Sequence, residues 1–522
     1  MHVIDFFDRG ATAFPRRTCL SDRDGTSTFA EVHERTVQIA ALLQSRKAGP
    51  GTAVGVLSGN ASGAFECMLG TIRAGCVWAP LNVRATASEL AHYVTLVQCR
   101  YVFFQGEMEP VVSYLRAHCP CVSEFILFDR AEDDSWPTLD RLLGDFLSPF
   151  APPAADLDAI ISVFGTGGTT GLPKAAAWSH RTWNAMVANF ASGIHHEGPP
   201  VHLVAAPMTH AAGVISIPLM ALGATTVLID RPAPELILEK ISSERVTTLF
   251  LPPTAIYSLI AHPDVRKHNT SSLQNFIYAA APMSVDKLKE AIEIFGPVFV
   301  QTYGQAEAPM TCTILTREDH SDALRLGLDH RLGSCGRPAL FTGVAVLDDD
   351  DNILERGKTG EIAVRGDLLM REYLHDADAT ATITAGRWRR TGDVGHVDED
   401  GFVYITDRKR DMIISGGFNI YPAEVERIIL SHPSVLDCAV VGAPHEKWGE
   451  AVTAVVELRD GCGGEAQAEL FKEILEACRD RLGSVKAPKA IHEWPELPRS
   501  AVGKVLRREV RTRFWASRSK SI

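Results

Sequence analysis

Residues 164 to 175 read FGTGGTTGLPKA, placing four glycines, three threonines and a lysine at the end of an apolar run, Ala159-Ile160-Ile161-Ser162-Val163-Phe164. Glycine lets backbone N–H groups approach a ligand closely and permits positive φ. Consecutive N–H groups in such a turn form a concave anion site. Thr166, Thr169 and Thr170 add hydroxyl donors, and Lys174 adds a point charge. The stretch departs from the Walker A pattern, because Pro173 precedes Lys174 and Ala175 follows it. A flexible Gly/Thr linker is the competing reading. The strand-like run favours a phosphate cradle, since ligands in α/β folds bind where strands empty into glycine turns.

A chain of 522 residues exceeds a single core and predicts about two to four domains or subdomains. Its composition, 46% apolar and 22% charged, is that of globular material rather than disorder. The net charge of −12 disfavours nucleic acid as a partner. No apolar run reaches the ~18 residues of a transmembrane segment. Met1-His2-Val3-Ile4-Asp5 lacks the basic and apolar parts of a secretory signal. The eleven scattered cysteines suggest reduced thiols and hence a cytoplasmic protein.

Strand-like and helix-like runs alternate over the first 400 or so residues. Val54-Gly55-Val56-Leu57 precedes a helical spacing from Ala64 to Ala74, then Cys76 to Leu81. Val201 to Ala206, Ile217 to Leu222, Thr225 to Ile229, Glu235 to Ile241 and Thr248 to Leu251 continue the pattern. Such alternation argues for α/β layers with largely parallel sheets. After Gly343 the texture turns hairpin-rich: Val344 to Leu347, then Asp348 to Asn352, then Gly360 to Val364. The acidic run reads as a solvated turn, with a cation site as the alternative. Beyond Asp407-Arg408-Lys409-Arg410-Asp411 a separate unit begins. Pro422 opens a helix there, Val425, Ile428 and Ile429 form its apolar stripe, and His432-Pro433 closes it. Strands at Asp437 to Val441 and Ala451 to Leu458, and a helix from Ala466 to Leu482, complete an α+β domain of about 110 residues.

Further short stretches follow apolar runs: Pro207-Met208-Thr209-His210-Ala211-Ala212-Gly213, Ala279-Ala280-Ala281-Pro282 and Gln301-Thr302-Tyr303-Gly304-Gln305-Ala306-Glu307. Thr391-Gly392-Asp393, Asp407-Arg408 and Pro498-Arg499-Ser500-Ala501-Val502-Gly503-Lys504 come later. Each alone is weak; a histidine such as His210 is more often a packed structural residue than a catalytic one. In this order, the set resembles the adenylate-forming superfamily, which includes acyl-CoA synthetases, firefly luciferase-like enzymes and peptide-synthetase adenylation domains. The resemblance runs from Thr28-Phe29-Ala30-Glu31 to Lys504.

The resemblance implies an α/β fold. Residues 1–409 would form a large N-terminal ATP- and acyl-binding domain, with two parallel-rich sheets, helices and a β-barrel-like section. Residues 410–522 would form a small mobile α+β domain carrying the catalytic lysine. Thr166, Gly167, Gly168, Thr169, Thr170, Gly171 and Lys174 would hold the β- and γ-phosphates of ATP. Ala280, Ala281 and Pro282 would wall the adenine, and Tyr303, within Gln301 to Ala306, would stack on it. Glu307, helped by the Thr166 hydroxyl, would hold Mg2+. Asp393 would take both ribose hydroxyls, with Arg408 close by. His210, Ala211, Gly213 and Ala279 would line the acyl pocket, His210 also facing the pantetheine entrance. Lys504 would bridge the acyl carboxylate and the α-phosphate. Arg410 would be the hinge, and Ser415, Gly416 and Gly417 would face coenzyme A. ATP, Mg2+ and coenzyme A are the implied cofactor and co-substrates, and a small carboxylic acid the implied partner; a homodimer is left open.

The chemistry needs such a set. A carboxylate is a poor electrophile, and attack on the α-phosphorus of ATP gives it AMP as a leaving group. Positioned cations and N–H donors stabilise the charge that accumulates. Lys504 would obstruct the later thiol attack, which explains its place on a mobile domain. Three positions depart from the family pattern: Gly167 stands for serine or threonine, Ala175 for glycine and Ala306 for threonine. A lost hydroxyl removes a donor worth ~1 kcal/mol, and Thr302 is a candidate to compensate.

No aspartate lies around Met208-Thr209-His210 to hold an amino group, and no carrier domain follows Lys504. The expected activity is therefore that of a free-standing acid–CoA ligase. Small residues at 211–213 and 279–281 suggest an apolar pocket for a medium-chain fatty, alicyclic or aryl acid. A carrier-protein-loading ligase, a luciferase-like oxidase and a weakly active nucleotide-binding homologue stay as alternatives. The basic tail, Arg507, Arg508, Arg511 and Arg513, reads as a solvated helix end or as a partner of the coenzyme A phosphates.

Overall fold

The computed structural model describes residues 1–129, 135–144, 149–154, 156–166, 174–459, 467–499 and 505–516. The chain packs as two compact units. The first comprises Met1–Val344, Val364–Arg389 and Asp400–Val403; the second comprises Ala345–Ala363, Arg390–Glu399 and Tyr404–Ile522. The packing division thus falls earlier than residue 409/410 in places. Residues 345–363 and 390–399 bond to one another, Gly357 N–H donating to Val397 O, and to the later chain, Lys409 Nζ donating to Asp349 Oδ1 at 2.7 Å and Glu361 Oε2 at 3.2 Å.

Two sheets build the first unit. The seven-stranded sheet runs Glu372–Tyr373, Ala175–Ser179, Ile160–Gly165, Val77–Leu81, Ala53–Leu57, Cys99–Phe104 and Glu124–Leu127. Ala53–Leu57 pairs in parallel with both neighbours, Val77–Leu81 and Cys99–Phe104, and is buried throughout. A strand covered on both faces has to be continuously apolar, as AVGVL is. The helix Phe29–Ser45 starts at a capping box. Thr28 accepts from Glu31 N–H while Glu31 accepts from Thr28 N–H, an arrangement worth ~1 kcal/mol.

The nine-stranded sheet runs Arg337–Pro338, Ala308–Leu315, Phe299–Gln305, Asn275–Tyr278, Thr248–Leu251, Val201–Val204, Thr225–Leu228, Thr18–Asp22 and Gly25–Thr28. Its central strands, from Phe299–Gln305 to Thr225–Leu228, are parallel neighbours. One apolar core draws on both sheets, including Trp78, Phe164 and Trp178 with Val204, Ile277 and Val300. The stretches at Pro207–Gly213 and Ala279–Pro282 follow the parallel strands Val201–Val204 and Asn275–Tyr278, and Gln301–Glu307 runs out of the parallel strand Phe299–Gln305. All three lie toward the carboxyl ends of strands, which is where α/β sheets hold ligands.

The expected barrel-like section is a five-stranded sheet of Gly343–Leu347, Gly360–Arg365, Trp388–Val397 and Thr384–Ala385, with Val403–Arg408 paired to Trp388–Val397. The acidic run is the turn expected of it: Asp348 Oδ1 accepts from Asp350 N–H at 2.9 Å and Asn352 N–H at 2.9 Å. In the second unit, Phe418–Ile420, Ile413–Ser415, Gly449–Leu458 and Val435–His445 form a sheet, with Ala490–Glu493 parallel to Gly449–Leu458. The helices Pro422–Leu430, with Pro422 in its first turn, and Gln467–Lys486 pack on it through Val425, Ile429, Leu470 and Ile474.

Candidate active site

The Gly/Thr stretch joins two strands rather than a strand and a helix. Ile160–Gly165 and Ala175–Ser179 are antiparallel, with Gly165 opposite Ala175. Thr166 N–H closes the base by donating to Lys174 O at 2.8 Å. Gly167, Gly168, Thr169, Thr170 and Gly171 lie outside the described residues, as does Lys504. Thr166 is half-buried. Lys174 is partly exposed, with its ammonium 3.7 Å from Asp376 and 5.0 Å from the centre of the Tyr373 ring.

Glu307 follows the strand Phe299–Gln305 and leads into Ala308–Leu315. The two strands approach so closely at Gly304 that a Cβ there would lie 2.4 Å from Met310 N. The Tyr373 hydroxyl donates to Glu307 Oε1. Among the described residues, Glu307 Oε2 carries no hydrogen bond. The backbone on either side is pinned: Trp178 Nε1–H donates to Ala306 O at 2.7 Å, and Met370 N–H donates to Glu307 O at 2.9 Å. No cluster of three or more His, Cys, Asp or Glu able to hold a metal occurs among the described residues. One available carboxylate suits Mg2+, which characteristically takes one or two carboxylates and substrate phosphates rather than an all-protein cage.

Gln301, Gly304 and Gln305 are half-buried, and half-buried Tyr303 and Ala306 pack against the first unit's core. Thr302 alternates with Val300 and so shares its apolar face. Its buried hydroxyl has no hydrogen-bond partner among the described residues. Ala280 is exposed and sits at φ +73°, a left-handed conformation that costs an alanine roughly 1–2 kcal/mol. Ala281 is half-buried and Pro282 exposed. Such strain at the carboxyl end of a strand is typical of ligand-contacting backbone.

His210 caps the short helix Ala211–Val214. Its Nδ1 is 2.9 Å from Thr209 Oγ1. Burial, with the nearby Arg84 cation, pushes its pKa down to about 4, so the ring is neutral at pH 7. Ala211 and Ala279 both belong to or pack against the core shared by the two sheets. Gly213 is small for another reason: a Cβ there would lie 1.9 Å from Met208 O. Gly213 thus has a packing reason to be small beside the acyl-pocket role that the resemblance implies for it. Asn60 shapes this loop, its Oδ1 accepting from Met208 N–H at 2.8 Å while its Nδ2 donates to Val204, Ala206 and Ile229 carbonyls.

In the second unit, Asp393 is 3% exposed and Arg408 Nε lies 2.6 Å from its Oδ1. Gly392, at φ +72°, turns the chain into Asp393, and its N–H donates to Glu361 Oε1. Asp407 accepts from Arg507 and from Ala423 N–H. Gly416 (φ +58°) and Gly417 (φ +85°) form the two-residue turn between Ile413–Ser415 and Phe418–Ile420, which requires positive φ at both positions. Ser415 is buried, and Arg410 is exposed in the turn Lys409–Asp411. The basic tail is corrected at Arg507: this guanidinium bonds Glu426, Asp407 and Asp411. It is an internal counter-ion rather than a solvated or ligand-facing charge.

Residues 7–374 match the AMP-binding enzyme family and residues 424–504 its C-terminal domain. The chain belongs to the AMP-binding enzyme family. This adenylate-forming family member is 32% identical over 510 residues to feruloyl-CoA synthase of an Amycolatopsis species, covering 97% of this chain and 98% of that protein. It is 39% identical over 373 residues to the medium/long-chain-fatty-acid–CoA ligase FadD8 of Mycobacterium tuberculosis, covering 71% of this chain and 64% of FadD8. The amide bond synthetase McbA of Marinactinospora thermotolerans superposes with a TM-score of 0.87 at 29% identity, covering 98% of this chain and all of McbA.

Sequence reasoning missed Tyr373, Asp376, Asn60 and Arg84. Glu372–Tyr373 is a two-residue strand, too short for periodicity to mark. Asn60 acts through backbone groups distant in sequence. None of the four stands in a recognisable motif.

Proposed function

We propose that this AMP-binding enzyme is an ATP-dependent carboxylic acid–CoA ligase. The acid attacks the α-phosphorus of ATP and expels pyrophosphate; the thiol of coenzyme A then attacks the acyl-adenylate and expels AMP. The observation that carries the reading is the meeting of Lys174, at the foot of the Gly/Thr loop, with Glu307 on either side of Tyr373. A cation and a carboxylate held together suit a triphosphate and its Mg2+. Mg2+ would neutralise the charge on the transferring phosphate, with Glu307 and Thr166 as its protein partners. Lys174, with Gly167, Gly168, Thr169, Thr170 and Gly171, would take the β- and γ-phosphates. Tyr303 and residues 280–282 would hold adenine, and Asp393 and Arg408 the ribose.

The acid is read as apolar. Neutral His210, Ala211 and Ala279 offer no fixed charge, and relatives named for ferulate and for fatty acids agree with such a pocket. A mobile domain of residues 410–522, hinged at Arg410, would bring Lys504 for the first step and Ser415, Gly416 and Gly417 for the second. The ten cysteines among the described residues are free thiols, in keeping with a cytoplasmic setting. No helix among them is long and apolar enough to cross a membrane.

The likeness to an amide bond synthetase favours one second reading, transfer of the acyl group to an amine. Pyrophosphate release across a panel of fatty, alicyclic and aryl acids tests both readings, with no acceptor, with coenzyme A, or with a panel of amines. Acid-dependent release with coenzyme A-dependent AMP and thioester is expected. Amide without thioester would favour the second reading, and release independent of any acid would refute both.

A further inference from the structure

Tyr373 lies between the two charged groups that the proposed function assigns to MgATP. It is 7% exposed. Its hydroxyl donates to Glu307 Oε1, and the Lys174 ammonium sits 5.0 Å from its ring centre, within cation–π range. Asp376 holds the same ammonium from 3.7 Å. The surrounding backbone ties both partners down. Met370 N–H donates to Glu307 O at 2.9 Å, Arg371 N–H to Ala177 O at 2.8 Å and Leu374 N–H to Ala175 O at 2.7 Å. Tyr373 is itself fixed by its N–H on Thr380 Oγ1 at 2.9 Å. Asp376 caps the helix Ala377–Thr382 by accepting from Ala379 N–H at 2.9 Å.

We propose that Tyr373 is a positioning residue for MgATP, the centre of a brace, Met370–Asp376, that sets the Glu307 carboxylate against the Lys174 ammonium. The inference rests on the roles proposed above for Glu307 and Lys174. With Oε1 engaged by the phenol, Oε2 would be the carboxylate oxygen left to hold Mg2+. Groups that orient a metal's carboxylate in this way typically change metal affinity or activity by about ten- to a hundredfold when removed. The ring does a separate task. It faces Lys174 at the end of a strand, next to the loop, and limits where the ammonium can point.

Tyr373→Phe removes the hydroxyl and keeps the ring; Tyr373→Leu removes both. Calorimetric affinity for a non-hydrolysable ATP analogue would be measured with Mg2+ and with a chelator, alongside thermal unfolding. Tyr373→Phe should weaken binding about ten- to a hundredfold with Mg2+ and leave chelator-state binding unchanged. Tyr373→Leu should weaken both. Combining Tyr373→Phe with Glu307→Gln should cost no more Mg2+-dependent affinity than Glu307→Gln alone. If Tyr373→Phe lowers the unfolding temperature but leaves Mg2+-dependent binding as in the parent, or weakens binding equally with and without Mg2+, the brace is overturned. If Glu307→Gln itself leaves the Mg2+-dependent affinity intact, the fault lies in the assignment of Glu307 and the proposed nucleotide site fails with it.

Discussion

Arg408 Nε is 2.6 Å from Asp393 Oδ1, and this aspartate is nearly inaccessible to solvent. Asp393 thus already holds a charged partner within the chain. Truncation would also leave a gap, so the informative change is Asp393→Asn, which keeps the shape and an acceptor oxygen while removing the charge. ATP affinity should fall by roughly 1.5–3 kcal/mol, the worth of hydrogen bonding to a charged group. Calorimetry in parallel with unfolding separates the effects: lost stability with unchanged ATP affinity would make Asp393 an ion-pair partner only.

The layers of the fold were legible because they follow from local patterns. Thr248–Leu251 and the helix beginning at Pro422 appear where apolar spacing and proline placed them. The packing division was not legible, because residues 345–363 and 390–399 join the second unit through hydrogen bonds between segments far apart in sequence. The site shows the same contrast. His210, Tyr303, Glu307 and Asp393 stand in ordered motifs, whereas Tyr373 and Asn60 act through distant strands and carbonyls. Arg507 was misread because its exposure was judged from a basic tail. Glu426, a buried acid some distance earlier on another helix, is what draws it inside.

The loop carrying His210 separates packing from pocket volume. Gly213→Ala sets a Cβ against Met208 O, so it should lower the unfolding temperature with little change in acid preference. Ala211→Val enlarges a half-buried side chain and should move preference toward shorter acids, with overpacking costing the longest ones about 1–3 kcal/mol. A chain-length series of acids checks both. An unchanged preference in Ala211→Val would place the acyl pocket elsewhere.

Glu66, on the helix Ser62–Arg73, gives the first unit a pH dependence. Burial pushes its carboxyl up to about 7, although Arg35 Nε lies 3.6 Å away. The folded state therefore binds a proton that the unfolded chain has released above about pH 4.5. The stabilisation is complete below the unfolded value and is lost as pH rises through about 7. At about 1.4 kcal/mol per unit, the span is on the order of 3 kcal/mol. Urea unfolding of Glu66→Gln against the parent should show the variant gaining relative stability between about pH 5 and pH 8. A constant difference across that range would mean that Glu66 is not titrating there.

The proposed function has one chain perform two half-reactions, with Lys504 serving only the first. Lys504→Ala would be assayed for acyl-adenylate formation from acid and ATP, and separately for thioester formation from synthetic acyl-AMP and coenzyme A. Adenylate formation should fall by about two to three powers of ten, the scale of losing one preorganised charge-stabilising donor. Thioester formation from the supplied adenylate should stay near the parent rate. Equal damage to both steps would contradict the two-step account and make Lys504 a structural residue of the C-terminal domain.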